Sequence, residues 1–309
     1  MSFGTKEFFA ILSLVVLGLV SVSLGTAELS FEVLYLSRIP RTLSCILAGA
    51  SLAVSGLIIQ ILVRNKFVEP GTTGATESAM LGVLIATLLA PSASIIIKMV
   101  FAVICSLIGT FGFLSLARTL PNDQTLLIPL VGLIYAGIIG AGVTFIAYQG
   151  DLLQYLGVWM SGEFSGILSG RYEILWFAAI AALIAYMSAN QLTVIGLGES
   201  TTVNLGLNYR HVMLIGIATV ATVSGIVVVT IGVLPFVGLV VPNVVSRIFG
   251  DNLKQTLPIV AFLGGVLVLT SDIIGRIVRF PYEVPAGTIF GIVGAAVFLY
   301  LLLRKPAHG

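Results

Sequence analysis

Between Thr42 and Val63 the chain runs through apolar and small side chains without a single charge. Arg38-Ile39-Pro40-Arg41 precedes the run, and Arg64-Asn65-Lys66 follows it, leading to Glu69-Pro70-Gly71. As a helix, a run of about twenty residues crosses the hydrocarbon core of a bilayer once. Its two charged ends therefore face opposite sides of a membrane. The whole chain supports that reading. Only 9% of its 309 residues are charged and 58% are hydrophobic, against about a quarter charged in soluble domains. The expected fold is an all-α, polytopic membrane protein forming a single domain over residues 1–309.

Inside the run, Gly49, Ala53 and Gly56 share one helix face, where small residues allow another helix to approach closely. Ser51, Ser55 and Gln60 add polar groups that lipid disfavours. Either this face packs tightly, with serine hydroxyls bonded back to their own helix, or part of it lines a wet path. The residues alone leave both open.

Along the chain, further apolar stretches read as spans: Phe8 to Leu24, Ala75 to Ala90, Ser94 to Ala117, Thr125 to Tyr148, Tyr172 to Ala189, Val212 to Val233, Leu257 to Ile274 and Ala286 to Leu303. The first reads as an uncleaved span rather than a signal peptide. Thr26 to Ser37 is expected to be an external loop, and Leu120 to Gln124 a polar one. Gly132, Ala136, Gly140 and Thr144 form a small-residue seam. Residues 149–171 suit a short interfacial helix broken at Gly162, with Trp159 at headgroup level. Leu234 to Gly250 is apolar but interrupted by Pro235, Gly238 and Pro242, which fits a broken or re-entrant crossing. That makes about ten crossings, with both termini on one side. Residues 190–211 form the longest polar loop.

Charge placement orients the chain. With the N-terminus inside, nine basic residues lie on the cytoplasmic side and six outside. Arg38, Arg41, Arg276 and Arg279 sit at the outer ends of two spans. They read either as headgroup anchors or as an exposed basic rim that docks an acidic partner through bidentate pairs. A net charge of +2 gives no reason to invoke nucleic acid. Cys45 and Cys105 read as small core residues, and His211 and His308 do not combine into a metal site. No GxxxxGK[ST] occurs, so a nucleoside triphosphate is not held here by a P-loop. Neither an acid–base pair nor a nucleophile with a base is visible, which argues against an enzyme.

The stretch RIPRTLSCILAGASLAVSGLIIQILVRNKFVEPGTTG, then PFVGLVVPNVVSRIFGDN, then SDIIGR followed by VPAGTIFGIVGAAVF, resembles the permease family of ABC importers for iron-siderophores, haem and cobalamin. The blocks cover nearly the whole chain. The resemblance implies ten spans per subunit, two permease subunits (unlike or identical), a dimer of cytoplasmic ATPases that hydrolyses ATP, and an external binding protein. This chain would bind no cofactor itself. Matched by position, Arg38, Arg41 and Arg276 would meet acidic residues of the binding protein. Asn65 and Phe67 would form the inner gate. Gly196-Leu197-Gly198-Glu199, continuing to Leu205-Gly206, would be the loop coupled to the ATPase. The family pattern has Asn-Pro where Asn65-Lys66 stands and Pro-His where Pro242-Asn243 stands. Those departures resemble a subgroup handling catechol-type ferric siderophores in a bacterial inner membrane. Haem or cobalamin is the alternative cargo. An ion-coupled secondary transporter is the rival mechanism, for which only Asp272 offers an ionisable residue inside a span.

Overall fold

The computed structural model describes residues 3–303 other than 26, 27, 29 and 121–125. Most of the expected loop at 120–124 and the basic end at Arg304-Lys305 lie outside the described residues. Among the described residues all regular structure is helical. The first helix, α1, covers Phe3–Ser23. The helical turn α2 (Phe31–Val33) and a π-helical turn (Leu34–Arg38) run without a break into α3 (Ile39–Val63). The expected external loop is thus helical from Phe31 onward. Ser30 caps it by accepting from the Val33 N–H, and the π-helical turn Leu34–Arg38 comes just before Pro40, which has no N–H to give the helix. Apart from Glu32, Ser37 and Arg38, residues 31–38 are apolar or aromatic, and they extend the helix backward from the main run.

Next come α4 (Ala75–Leu89), α5 (Ile95–Ala117), α6 (Leu127–Gln149) and the short α7 (Leu153–Met160). After Gly162, at φ +62°, the chain reaches α8 (Leu175–Met187). Residues 190–211 prove largely helical rather than a polar loop. They hold most of α9 (Ala189–Gly196) and α10 (Glu199–Asn204), and α9 bends 68° away from α8. The bundle closes with α11 (Tyr209–Thr230), α12 (Val237–Phe249), α13 (Leu253–Ile277) and α14 (Ala286–Leu303).

By length and composition, six helices can cross a membrane, or seven with the bent α8–α9 pair as one span. The apolar parts of α1, α4 and α12 are shorter. The 13-residue α12 rises only about 20 Å, too little for a bilayer core of about 30 Å. Among the spans α11 and α3 are the most buried, whereas α5, α6 and α14 present apolar side chains outward. That inversion suits a lipid-facing surface. Helix α3 packs against α13, α12, α11 and α8, so it is the axis of the bundle.

Glycines set how closely those helices approach. A Cβ on Gly49 would overlap the Gly264 carbonyl of α13, and one on Gly56 would overlap the Gly238 carbonyl of α12. Backbone thus meets backbone along the face that Gly49, Ala53 and Gly56 share, with the Ala53 Cβ pressed toward Gly264.

Candidate functional site

At the N-terminal end of α3 an ionic cluster joins three segments. Asp272 on α13 is 1% exposed and accepts from Arg41 Nη2 at 2.7 Å and Nε at 3.1 Å. It also pairs with Arg276, one helical turn along, whose Nε lies 2.9 Å away. Arg276 Nη1 reaches the Ser21 carbonyl at 2.8 Å, and its Nη2 reaches the Ser21 hydroxyl at 2.8 Å. Arg38 donates to the Val22 and Ser23 carbonyls at 2.9 and 3.1 Å. These are the last carbonyls of α1, and arginines there satisfy a helix end and complement its dipole. The remaining Arg41 nitrogen, Nη1, donates to Glu283 at 2.8 Å.

The expected exposed rim is therefore a buried network. Arg38 and Arg276 are each 6% exposed, and Arg41 is 12% exposed. Arginines at membrane depth need partners, and the chain supplies them internally. Arg279 alone of the four stays exposed, its guanidinium over the Tyr282 ring at 5.6 Å. Sequence reasoning missed Glu283, 242 residues from its partner Arg41, and Ser21, 255 residues from its partner Arg276. The four-residue step from Asp272 to Arg276 was the available signal.

At the opposite end of α3, Arg64 takes a left-handed conformation (φ +54°) and ends the helix. Asn65, 5% exposed, accepts from the Phe67 N–H at 2.9 Å in an Asx turn. Phe67 meets Phe298 of α14 edge to face, ring centroids 6.2 Å apart. Lys66 Nζ lies 3.0 Å from Asp251 and 2.8 Å from the Ser246 hydroxyl. The Asn243 amide donates to the Lys66 carbonyl at 2.7 Å. The two departures from the family pattern, Lys66 and Asn243, thus touch each other. Partial burial pushes the Asp251 carboxyl up, but Ser246 and the Lys66 ammonium outweigh it and hold the group below its ordinary value. Behind the clasp lies a cavity of about 240 Å³, lined by Gln60, Arg64 and Asn65 among others.

Gln60 has a structural task that the sequence did not disclose. Pro242 has no N–H, so within α12 the Gly238 carbonyl loses its i+4 donor. Gln60 Nε2 supplies the donor from α3 at 3.2 Å. Ser51 and Ser55, by contrast, bury hydroxyls that find no partner among the described residues, so the expected bonds back to their own helix do not form. Glu69, 7% exposed, accepts from the Phe236 N–H at 3.2 Å, where α12 begins. Glu69 and the half-buried Glu77 of α4 are carboxylates inside the bundle besides Asp272, which corrects the expectation that Asp272 stands alone.

The segment after α9 lies beside the Arg64 end. Gly198, at φ +118°, separates α9 from α10, and its Cα faces the Arg64 guanidinium. The Thr202 hydroxyl lies 2.6 Å from the Gly198 carbonyl and 3.2 Å from the Val194 carbonyl of α9, which ties α10 to α9. Glu199 opens α10 and is exposed. Leu197, Val203 and Leu205 are exposed apolar residues around it, and Gly206 (φ +77°) turns the chain toward α11.

Apolar helices of bilayer length, glycine-to-glycine helix contacts and a half-length helix abutting α3 define a polytopic membrane protein. The profile of the FecCD transport family matches residues 8–304. The petrobactin import system permease protein YclN of Bacillus subtilis strain 168 is 43% identical, covering 98% of this chain and 99% of that protein. The petrobactin import system permease protein FatD of Bacillus anthracis is 39% identical, over 97% and 92%. A solved structure described as an inward-facing conformation of a metal-chelate type ABC transporter superposes with a TM-score of 0.83. It covers 98% of this chain and all of that one, at 22% identity, a likeness of fold. The chain belongs to the FecCD transport family and is a membrane permease, not an enzyme.

Proposed function

We propose that the chain is the permease subunit of an ATP-binding-cassette importer that carries a catechol-type ferric siderophore across the bacterial inner membrane. The observation that carries this reading is end-to-end identity of 43% with a petrobactin permease. In this reading α1, α4 and the broken crossing from Leu234 to Gly250, which contains α12, join the longer spans, giving ten, with both termini cytoplasmic. The arginine end of α3 faces outward and receives the binding protein. The Asn65–Phe67 end faces the cytoplasm and closes the path below. The exposed apolar residues around Gly198 and Gly206 dock on a dimer of ATPases, and a second permease, unlike or identical, completes the path.

The chain acts as a passive conduit whose states are biased from outside. ATP closes the ATPases, α9 and α10 move, and Arg64 beside Gly198 passes the motion to the end of α3. The test is uptake of iron-55 petrobactin by proteoliposomes holding the co-purified complex and its binding protein. ATP-dependent uptake is expected. Full uptake from a proton gradient without ATP refutes the mechanism. ATP-dependent uptake of cobalamin or haem instead of petrobactin refutes the cargo and leaves the mechanism standing.

A further inference from the structure

Around the arginine end the charges cancel from within. Arg41 and Arg276 face Asp272 and Glu283, two cations against two carboxylates. An acidic partner approaching Arg41 or Arg276 meets a guanidinium already paired with a carboxylate, with Arg38 and the exposed Arg279 outside that balance. The four groups are not equally committed. Asp272 is 1% exposed, Arg276 6% and Arg41 12%, whereas Glu283 is 31% exposed. Asp272 takes the Nε and Nη2 of Arg41, leaving only Nη1 for Glu283. Glu283 is thus the member whose departure leaves Arg41 still paired, through Asp272.

The backbone next to Glu283 is held close to α13. Its neighbour Val284 donates to the Gly275 carbonyl at 2.9 Å. A Cβ on Gly275 would overlap the Val284 carbonyl, so only glycine lets the connection lie this close to α13. These two contacts hold the connection against α13. A cavity of about 210 Å³, lined by Gly25, Arg276, Phe280 and Glu283, opens beside the pair.

We propose that Glu283 is an internal stand-in for a partner's carboxylate: it occupies the one exchangeable donor of Arg41 and is displaced when an acidic side chain of the binding protein docks there. The inference rests on the reading that this end receives the binding protein. It adds that docking is an exchange of one carboxylate for another, which sets a threshold on affinity. A partner that fails to displace Glu283 gains nothing from Arg41.

The test uses the whole complex in lipid nanodiscs, with the binding protein that co-purifies with it as probe and its affinity read by biolayer interferometry. Glu283→Gln removes the competitor and is expected to tighten binding about twofold to fivefold, the upper part of the range for ion pairs that solvent still reaches. Glu283→Asp keeps wild-type affinity. Arg41→Lys keeps the charge facing Asp272 but loses the fork, and is expected to weaken binding. In the Arg41→Lys background Glu283→Gln gives no gain. If Arg41→Lys weakens binding but Glu283→Gln leaves it unchanged or weakens it, the stand-in is refuted and docking at Arg41 survives. A gain from Glu283→Gln that persists with Arg41→Lys also refutes the exchange, because it then comes from net charge alone. If Arg41→Lys leaves affinity unchanged, the docking reading falls and the inference falls with it.

Discussion

Asp272→Asn removes one charge from the middle of the arginine cluster and keeps the shape. In the wild type, Arg41 and Arg276 both converge on that carboxylate, which is 1% exposed. Removing one partner of a buried ion pair costs about 3–5 kcal/mol, because the other charge stays buried without compensation. Here the residual contacts soften the loss. Arg41 keeps Glu283, and Arg276 keeps the Ser21 carbonyl and hydroxyl. The expected loss is therefore near the lower limit, about 3 kcal/mol, which is roughly a hundredfold in the folded-to-unfolded ratio. Unfolding of the purified permease by SDS in mixed micelles measures it. Asp272→Asn with Arg276→Met is expected to recover part of the loss, since one uncompensated charge is then gone. A loss within about 0.5 kcal/mol, the range of ordinary surface substitutions, would refute the idea that this cluster clamps α1, α3 and α13 together.

Gln60→Leu strips the Gly238 carbonyl of the donor that replaces the one missing at Pro242, and should cost about 1–3 kcal/mol in the same unfolding assay. Gly56→Val forces α3 and α12 apart at their closest approach; about 1–3 kcal/mol of overpacking cost is expected, with a lower thermal midpoint. Lys66 and Asp251 are 57% and 70% exposed, so Asp251→Asn should cost at most about 1 kcal/mol at pH 7. The Asp251 carboxyl is held below its ordinary value in the folded chain. Its contribution is thus present above the unfolded value of about 3.9 and fades as pH falls through the folded one, so wild type and Asp251→Asn should converge in thermal midpoint below about pH 4. Gly206→Pro demands φ near −65° where the chain has +77° and breaks the Gly206 N–H bond to Val203. Membrane insertion should persist, while ATP hydrolysis by the complex should no longer drive uptake.

The helical class and the course of most spans were legible in the sequence, because an apolar run of bilayer length has one solution for its backbone hydrogen bonds. The last span, Ala286 to Leu303, falls where the apolar run places it. Stretches interrupted by polar residues misled. Residues 31–37 and 190–211 looked like loops and are largely helical, because helices continue past the apolar run wherever caps and neighbouring helices support them.

What only the tertiary structure decided is partnership across long separations. Arg41 and Glu283, Gln60 and Gly238, and Lys66 and Asp251 lie between 178 and 242 residues apart. Local pattern carries no record of such pairs, since composition and periodicity act within a few turns. For the same reason the sequence could count arginines at one end of the bundle but could not tell an exposed rim from a neutralised cluster. That difference depends on which carboxylates the packing of α13 and its following connection brings within about 3 Å, the reach of a hydrogen bond.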